Sequence, residues 1–269
     1  IPVFSYIPPS AWAWRKGRAK SCAALADEIV AIFPHELPPY EAAGANISFV
    51  GNPLIDTVRA EMEPEEARRH FGIEENDVPI LLMPGSRREE IERLLPPMLG
   101  AAEILQTRDP ARRFFLPVAG GVDEQRIEEH LAASPVEVTL THDARYALMK
   151  AARAAIAASG TVVMEAAVMG LPAVVLYRMS ALSYFVGRLL VDVPRFSLPN
   201  ILLGETFETE LLQGAVQPER IAAAMEPIIA DGEARSYVTE RLARAVEMLG
   251  EPHAARRVAE KIIALGRRV

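Results

Sequence analysis

The sequence predicts an α/β fold: a doubly wound, Rossmann-like parallel sheet with helices on both faces, followed by a helical C-terminal tail. Three observations carry this. Apolar runs of strand length alternate with helix-length segments from Pro79 to Tyr177, the order that gives parallel strands joined by crossover helices. The runs Pro79–Met83, Ala154–Ala158 and Ala173–Tyr177 are apolar throughout, as strands covered on both faces require. Two polar turns, Pro84-Gly85-Ser86-Arg87 and Ser159-Gly160-Thr161, follow the first two of these runs and open helices. That is the edge of the sheet at which such folds take ligands.

The totals bound the function. The 269 residues, half of them apolar and 24% charged, suffice for one large α/β domain or two smaller ones. The single cysteine, Cys22, excludes an intramolecular disulfide framework and a cysteine-rich zinc site. No stretch reaches the roughly 18 uninterrupted apolar residues of a membrane span. The opening IPVFSYIPPS lacks the basic start and cleavage pattern of a signal peptide. A net charge of −7 argues against a general nucleic-acid binder. The chain opens directly on a buried-looking strand, without Met or a polar lead-in, and is read as part of a larger protein.

Taken in order, Ile1–Ile7 reads as a strand ended by Pro8-Pro9. Trp12 and Trp14 follow, then four positive charges in the six residues Arg15–Lys20. The tryptophans are expected to pack inside with the cations facing water; the functional alternative is contact with a lipid interface or a phosphorylated ligand. A helix through Ala24 leads into strand Glu28–Phe33, and a short helix into strand Ile47–Val50. These fifty residues have αβ rhythm but look too few for a sheet with its own core. Phe49–Leu54 reads as a crossing point between domains, its direction set by Gly51 and Pro53.

Pro64–Phe71 is expected to be helical, opened by Pro64-Glu65-Glu66. Strand Pro79–Met83 then runs into the Pro84–Arg87 turn and a helix from Glu89 through Gln106. Gly85 permits close approach, Ser86 donates and Arg87 can fork onto an anion; the plain alternative is a surface turn whose arginines face water. Neither a Walker loop nor a GxGxxG dinucleotide fingerprint is present. Strand Arg113–Ala119, helix Asp123–Ala133, strand Val136–Leu140 and helix Asp143–Ala152 continue the alternation.

The unit Ala154–Tyr177 is the centre of the functional reading. A helix N-terminus presents unpartnered N–H groups and partial positive charge. Gly160 lets a ligand approach the backbone while Ser159 and Thr161 supply hydroxyls, so a phosphate or diphosphate is the natural guest. Glu165, four residues past Thr161 on the same helix face, is placed to accept hydrogen bonds from sugar hydroxyls. The alternative makes Ser159 a helix cap and Glu165 a surface acid. Beyond it, Ala181–Val191 reads as a mostly apolar helix, either lipid-facing or buried under a loop. Phe196–Ile201 reads as a constrained polar loop in which Asn200 either contacts a base or diphosphate or closes a turn. Glu208–Val269 reads as helical packing.

Five segments together resemble a known family: SAWAWR (Ser10–Arg15), FVGNPL (Phe49–Leu54), LMPGSRREEI (Leu82–Ile91), ASGTVVMEA (Ala158–Ala166) and VLYRMS…SLPNIL (Val175–Leu202). In this order they look like the signatures of bacterial lipid-A-disaccharide synthase. The resemblance implies the two-domain GT-B glycosyltransferase fold. Residues 1–53 would then be the end of the N-terminal acceptor-binding domain, 54–230 the C-terminal UDP-sugar-binding domain, and 231–269 C-terminal helices. It implies transfer of 2,3-diacylglucosamine from UDP to the 6-hydroxyl of 2,3-diacylglucosamine 1-phosphate (lipid X) with inversion, and no metal or cofactor. UDP-binding residues on this pattern are Gly85, Ser86 and Arg87 in the first turn, Ser159, Gly160 and Thr161 in the second, with Glu165 at the ribose and Asn200 from SLPN. The family carries its general base in an acidic segment ahead of the IPVFSY strand, so the catalytic residue stays unassigned. The resemblance also implies peripheral, salt-sensitive contact with the cytoplasmic face of the inner membrane, and leaves a homodimer open. The alternatives are another GT-B UDP-sugar enzyme, of the UDP-N-acetylglucosamine 2-epimerase or muramyl-peptide glucosaminyltransferase type, or a UDP-binding fragment without catalysis.

Overall fold

A computed structural model of the protein describes residues 1–11, 17–179 and 194–267. Trp12 and Trp14, and the helix expected over Ala181–Val191, lie outside the described residues. The chain forms two compact units.

The first unit gathers the described residues of Ile1–Thr57, Ala181–Pro194 and Ala245–Val269. Strands β1 (Phe4–Tyr6), β2 (Glu28–Ala31) and β3 (Ile47–Phe49) pair in parallel in the order β1-β2-β3, with helices Gly17–Leu25 and Leu37–Glu41 in the connections. The expectation that this stretch could not make a sheet with its own core is corrected. Ala11, Ala19, Ile29 and Tyr40 form a small buried cluster, and the Tyr40 hydroxyl donates to the Pro9 carbonyl at 2.7 Å.

The reason lies at the far end of the chain. The Asp56 carboxylate accepts the backbone N–H groups of His253 at 2.7 Å and Ala254 at 3.0 Å, satisfying the first donors of helix Ala254–Gly266. Lys261 reaches the buried Glu28 carboxylate at 2.7 Å, and Asn52 N–H donates to the Leu249 carbonyl at 2.8 Å. Gly51, at φ 101°, lies so close to Arg257 and the Glu251 carbonyl that a side chain there would collide with both. A sheet of three strands is completed by residues some two hundred positions later in the sequence.

The second unit gathers the described residues of Val58–Ser180 and Arg195–Arg244. Its strands are β4 (Val78–Met83), β5 (Arg112–Pro117), β6 (Val138–Thr141), β7 (Ala154–Ala158), β8 (Ala173–Tyr177) and β9 (Glu210–Leu212). All are parallel, in the order β6-β5-β4-β7-β8-β9. The predicted doubly wound sheet is therefore present. Every residue of β7 and all but the first of β4 are buried, which is why both read as unbroken apolar runs. Leu81, Met83 and Phe115 pack with Leu148, Met149 and Val163 from the covering helices; each such side chain removed from water contributes about 2 kcal/mol. The chain leaves β4 toward β5 on one side and leaves β7 toward β8 on the other, so the β4–β7 pair is the switch point of the sheet. Met83 and Ala157 are register partners, and the two polar turns start side by side.

Two expectations for this unit are corrected. The segment read as a polar loop, Phe196–Ile201, contains the start of helix Leu198–Leu203, with Pro199 in its first turn and Gly204 closing it at φ 70°. The segment read as uniformly helical from Glu208 contains β9. Asn200 is fully buried between them. Its amide donates to the Glu208 carbonyl at 2.9 Å and to Glu210 Oε1 at 2.8 Å, and its oxygen accepts the N–H groups of Phe207 and Glu208, both at 3.0 Å. Glu210 also accepts the N–H groups of Phe196 at 3.0 Å and Ser197 at 2.9 Å. Asn200 ties an edge strand to a helix and has no valence left for a ligand.

Beside it, Glu208 is buried and accepts from the Ser197 hydroxyl at 2.9 Å. Burial pushes its carboxyl up to about 8, against the downward pull of the Ser197 hydrogen bond. Unfolded, the same group releases its proton near 4.5. Between those values the folded state binds more protons than the unfolded one, so stability falls as pH rises from 4.5 to 8 and levels off above it. Between pH 6 and pH 8 the loss is about 2 kcal/mol. Thermal melts of Glu208→Gln are expected to lack this part of the pH dependence and to exceed wild type at pH 8. Parallel curves for the two proteins would contradict it.

Candidate functional site

A cavity of about 570 Å³ opens at the carboxyl ends of β4, β5 and β7, within the size range of small-ligand sites. Both polar turns line it: Gly85, Ser86 and Arg87 from one, Ser159, Gly160 and Thr161 from the other. Glu165, Glu90 and Arg145 complete its polar lining. Seven of the eight residues expected from the sequence are thus brought together, and Asn200 is not.

The SGT turn is built to face outward. Gly160 starts helix Thr161–Val168, which carries no side-chain cap, and nothing lies within 4 Å of the place where a side chain on Gly160 would stand. Ser159 does not cap the helix. Its hydroxyl donates to the Phe196 carbonyl at 2.9 Å and its N–H to the Leu176 carbonyl at 2.8 Å, which fixes the turn and leaves the hydroxyl oxygen able to accept. The first-turn donors of this helix and its positive end therefore point at the cavity.

The PGSR turn is arranged differently from the expectation. Gly85 takes φ 103°, and the group that closes on it is the Glu90 side chain. Glu90 Oε2 accepts the N–H groups of both Ser86 and Arg87 at 3.2 Å, while Oε1 accepts from the Arg87 guanidinium at 2.9 Å. The turn's own backbone donors thus hold an internal carboxylate, three residues along in a capping box. Arg87 keeps 82% of its side chain exposed even while it is paired with Glu90, so its guanidinium is accessible to a ligand from the cavity side.

Glu165 is neither a surface acid nor packed away from the groove. It is 9% exposed and lines the cavity. Its Oε1 accepts a long bond of 3.4 Å from Arg145; its Oε2 lies 3.3 Å from the same guanidinium without hydrogen-bond geometry, so a buried acceptor is left without a donor. Burial pushes the Glu165 carboxyl up and Arg145 pulls it back down. Sequence reading missed both Arg145 and Glu90. Arg145 had no signal beyond being a cation ahead of an apolar helix, while Glu90 could have been found from its position three residues after Arg87. Among the described residues no group of three or more His, Cys, Asp or Glu is placed to hold a metal ion.

Comparison with known proteins agrees with this architecture. Residues 1–263 match the family model described as lipid-A-disaccharide synthetase. The lipid-A-disaccharide synthase of Syntrophus aciditrophicus is 44% identical over 266 residues, covering 98% of this chain and 70% of that protein. That of Geobacter metallireducens is 40% identical over 265 residues, covering 98% of this chain and 69% of that protein. Among solved structures, UDP-GlcNAc 2-epimerase from Neisseria meningitidis bound to UDP-GlcNAc is similar with a TM-score of 0.64 at 17% identity, over 90% of this chain and 62% of that one. Anabaena HepE in complex with UDP-glucose is similar with a TM-score of 0.56 at 13% identity, over 98% of this chain and 72% of that one. At such identities the structural likeness establishes the fold, which is of the GT-B type.

Proposed function

This chain belongs to the lipid-A-disaccharide synthetase family, and from that premise we propose that its cavity binds the UDP moiety of UDP-2,3-diacylglucosamine. The sugar is transferred to the 6-hydroxyl of 2,3-diacylglucosamine 1-phosphate, forming a β-1′,6 disaccharide of lipid A biosynthesis and releasing UDP. The observation that carries the assignment is the meeting of two strand-to-helix turns and a buried carboxylate around one cavity at the switch point of the sheet.

The roles follow from charge and geometry. The uncapped start of the Thr161–Val168 helix, with Gly160 and Thr161, takes the diphosphate. Arg87 adds an exposed cation on the opposite lip, paired with Glu90 until a ligand arrives. Glu165 accepts the ribose hydroxyls with the oxygen that lacks a donor. As the glycosidic bond to UDP lengthens, negative charge grows on the leaving phosphate, and donors fixed around it stabilise the transition state more than the ground state. General-base catalysis is assigned to no residue of this chain. Peripheral contact with the inner face of the inner membrane belongs to the same proposal, because both substrates carry acyl chains; among the described residues no helix is long and apolar enough to cross a membrane.

Calorimetric titration tests the assignment. UDP is expected to bind the wild-type chain, and Arg87→Ala to bind it about tenfold more weakly, the effect of losing one exposed charged contact. An Arg87→Ala curve superimposed on wild type would remove the first turn from the site, and absence of UDP binding by wild type would remove the assignment itself.

A further inference from the structure

Arg145 is the second cation of the cavity. It opens helix Arg145–Ala151 directly after Ala144, a non-glycine residue at φ 44°. Its guanidinium lies over the Tyr146 ring, 4.6 Å from the centroid, and one nitrogen, Nη2, reaches the Tyr146 hydroxyl at 2.5 Å and both Glu165 oxygens at 3.3 and 3.4 Å. Glu61 adds negative charge near it, while its carboxylate accepts the Ala147 N–H at 3.1 Å. We propose that Arg145 is a positioning residue which, anchored on Tyr146, clamps the Glu165 side chain as an anionic acceptor aimed at the ribose hydroxyls of the nucleotide. This rests on the assignment of Glu165 to the ribose.

The physical case has three parts. A carboxylate at 9% exposure is poorly solvated and takes up a proton more readily than one in water. Arg145 is the charge that opposes this, and its contact with the Tyr146 ring and hydroxyl limits how far the guanidinium can swing away. Hydrogen bonds to an ionised carboxylate are about twice as strong as those to a neutral acid, so the protonation state of Glu165 governs its value as a sugar acceptor. Among the described residues, the charged and titratable groups acting on this pair are Tyr146 and Glu61, and Arg87 and Glu90 line the same cavity. Without Arg145, Glu165 loses its counter-charge and holds its proton to higher pH, so it is the weaker acceptor wherever wild type is ionised and the variant is not.

Two measurements on the full chain separate this inference from the assignment beneath it. The first is UDP affinity of wild type, Arg145→Gln and Arg145→Lys from pH 6 to pH 9. The terminal phosphate of UDP itself titrates near pH 6, and taking the ratio to wild type at each pH cancels that. Arg145→Gln is expected to bind at least about tenfold more weakly than wild type at pH 6 and within about twofold at pH 9, with Arg145→Lys restoring most of the loss. A ratio that stays constant with pH, whether near one or far below it, overturns the inference and leaves the assignment of the site standing. Failure of wild type to bind UDP overturns both. The second measurement needs no nucleotide: the side-chain carboxyl carbon of Glu165, followed by NMR, is expected to titrate at higher pH in Arg145→Gln than in wild type. An unmoved titration overturns the clamp.

Discussion

Glu165→Ala is expected to weaken UDP binding by about 10²-fold and to leave the melting temperature within a few degrees of wild type. Each hydrogen bond to a charged acceptor is worth about 1.5–3 kcal/mol when its partner is lost, and 2.7 kcal/mol corresponds to a factor of about 100 in affinity. The fold is little affected because the side chain's one partner, Arg145, is half exposed and is rehydrated at low cost. Glu165→Gln keeps an acceptor but loses the charge, and falls between the two, about tenfold weaker than wild type. Calorimetry at neutral pH reads all three. An alanine variant within twofold of wild type would mean that the ribose lies elsewhere.

The second large effect is on stability. Asn200→Ala is expected to cost about 3–4 kcal/mol, because it deletes four hydrogen bonds, three of them buried, and leaves the N–H groups of Phe207 and Glu208 without acceptors in the interior. For a domain of this size that corresponds to a fall of about 10 °C in melting temperature. Below its own transition the variant is expected to bind UDP as wild type does. A stable variant with impaired UDP binding would restore the ligand role that the buried, saturated amide argues against.

What could be read from the sequence depended on where the partners of each residue lie. Strands β4, β7 and β8 were legible because a strand covered on both faces leaves an unbroken apolar run, and the two turns were legible because they directly follow such runs. Strand β9 was not: it has three residues, opens with Glu210 and pairs with β8 alone at the sheet edge. Its charge makes sense only once Phe196, Ser197 and Asn200 are seen to donate to it. The same contact hides the Leu198–Leu203 helix inside a segment that reads as a polar loop, although Pro199 also suits a first helical turn. The first fifty residues were judged by their own composition, and the groups that complete their sheet come from beyond Ala245. At the site, Ser159–Glu165 lie on one turn-helix unit and could be placed by spacing. Arg145 stands twenty positions from Glu165, and only the folded sheet brings them within reach.

Glu90 gives the two lips of the cavity unequal chemistry. At one lip the helix that starts after Gly160 has no side-chain cap, so an anion bound there would displace none of the chain's own groups. The other already grips a tethered anion of its own, so any phosphate reaching those amides must evict it, and the free energy released is only the difference between two negatively charged guests. An anionic guest at that lip would compete with a resident that is present in every molecule at fixed local concentration.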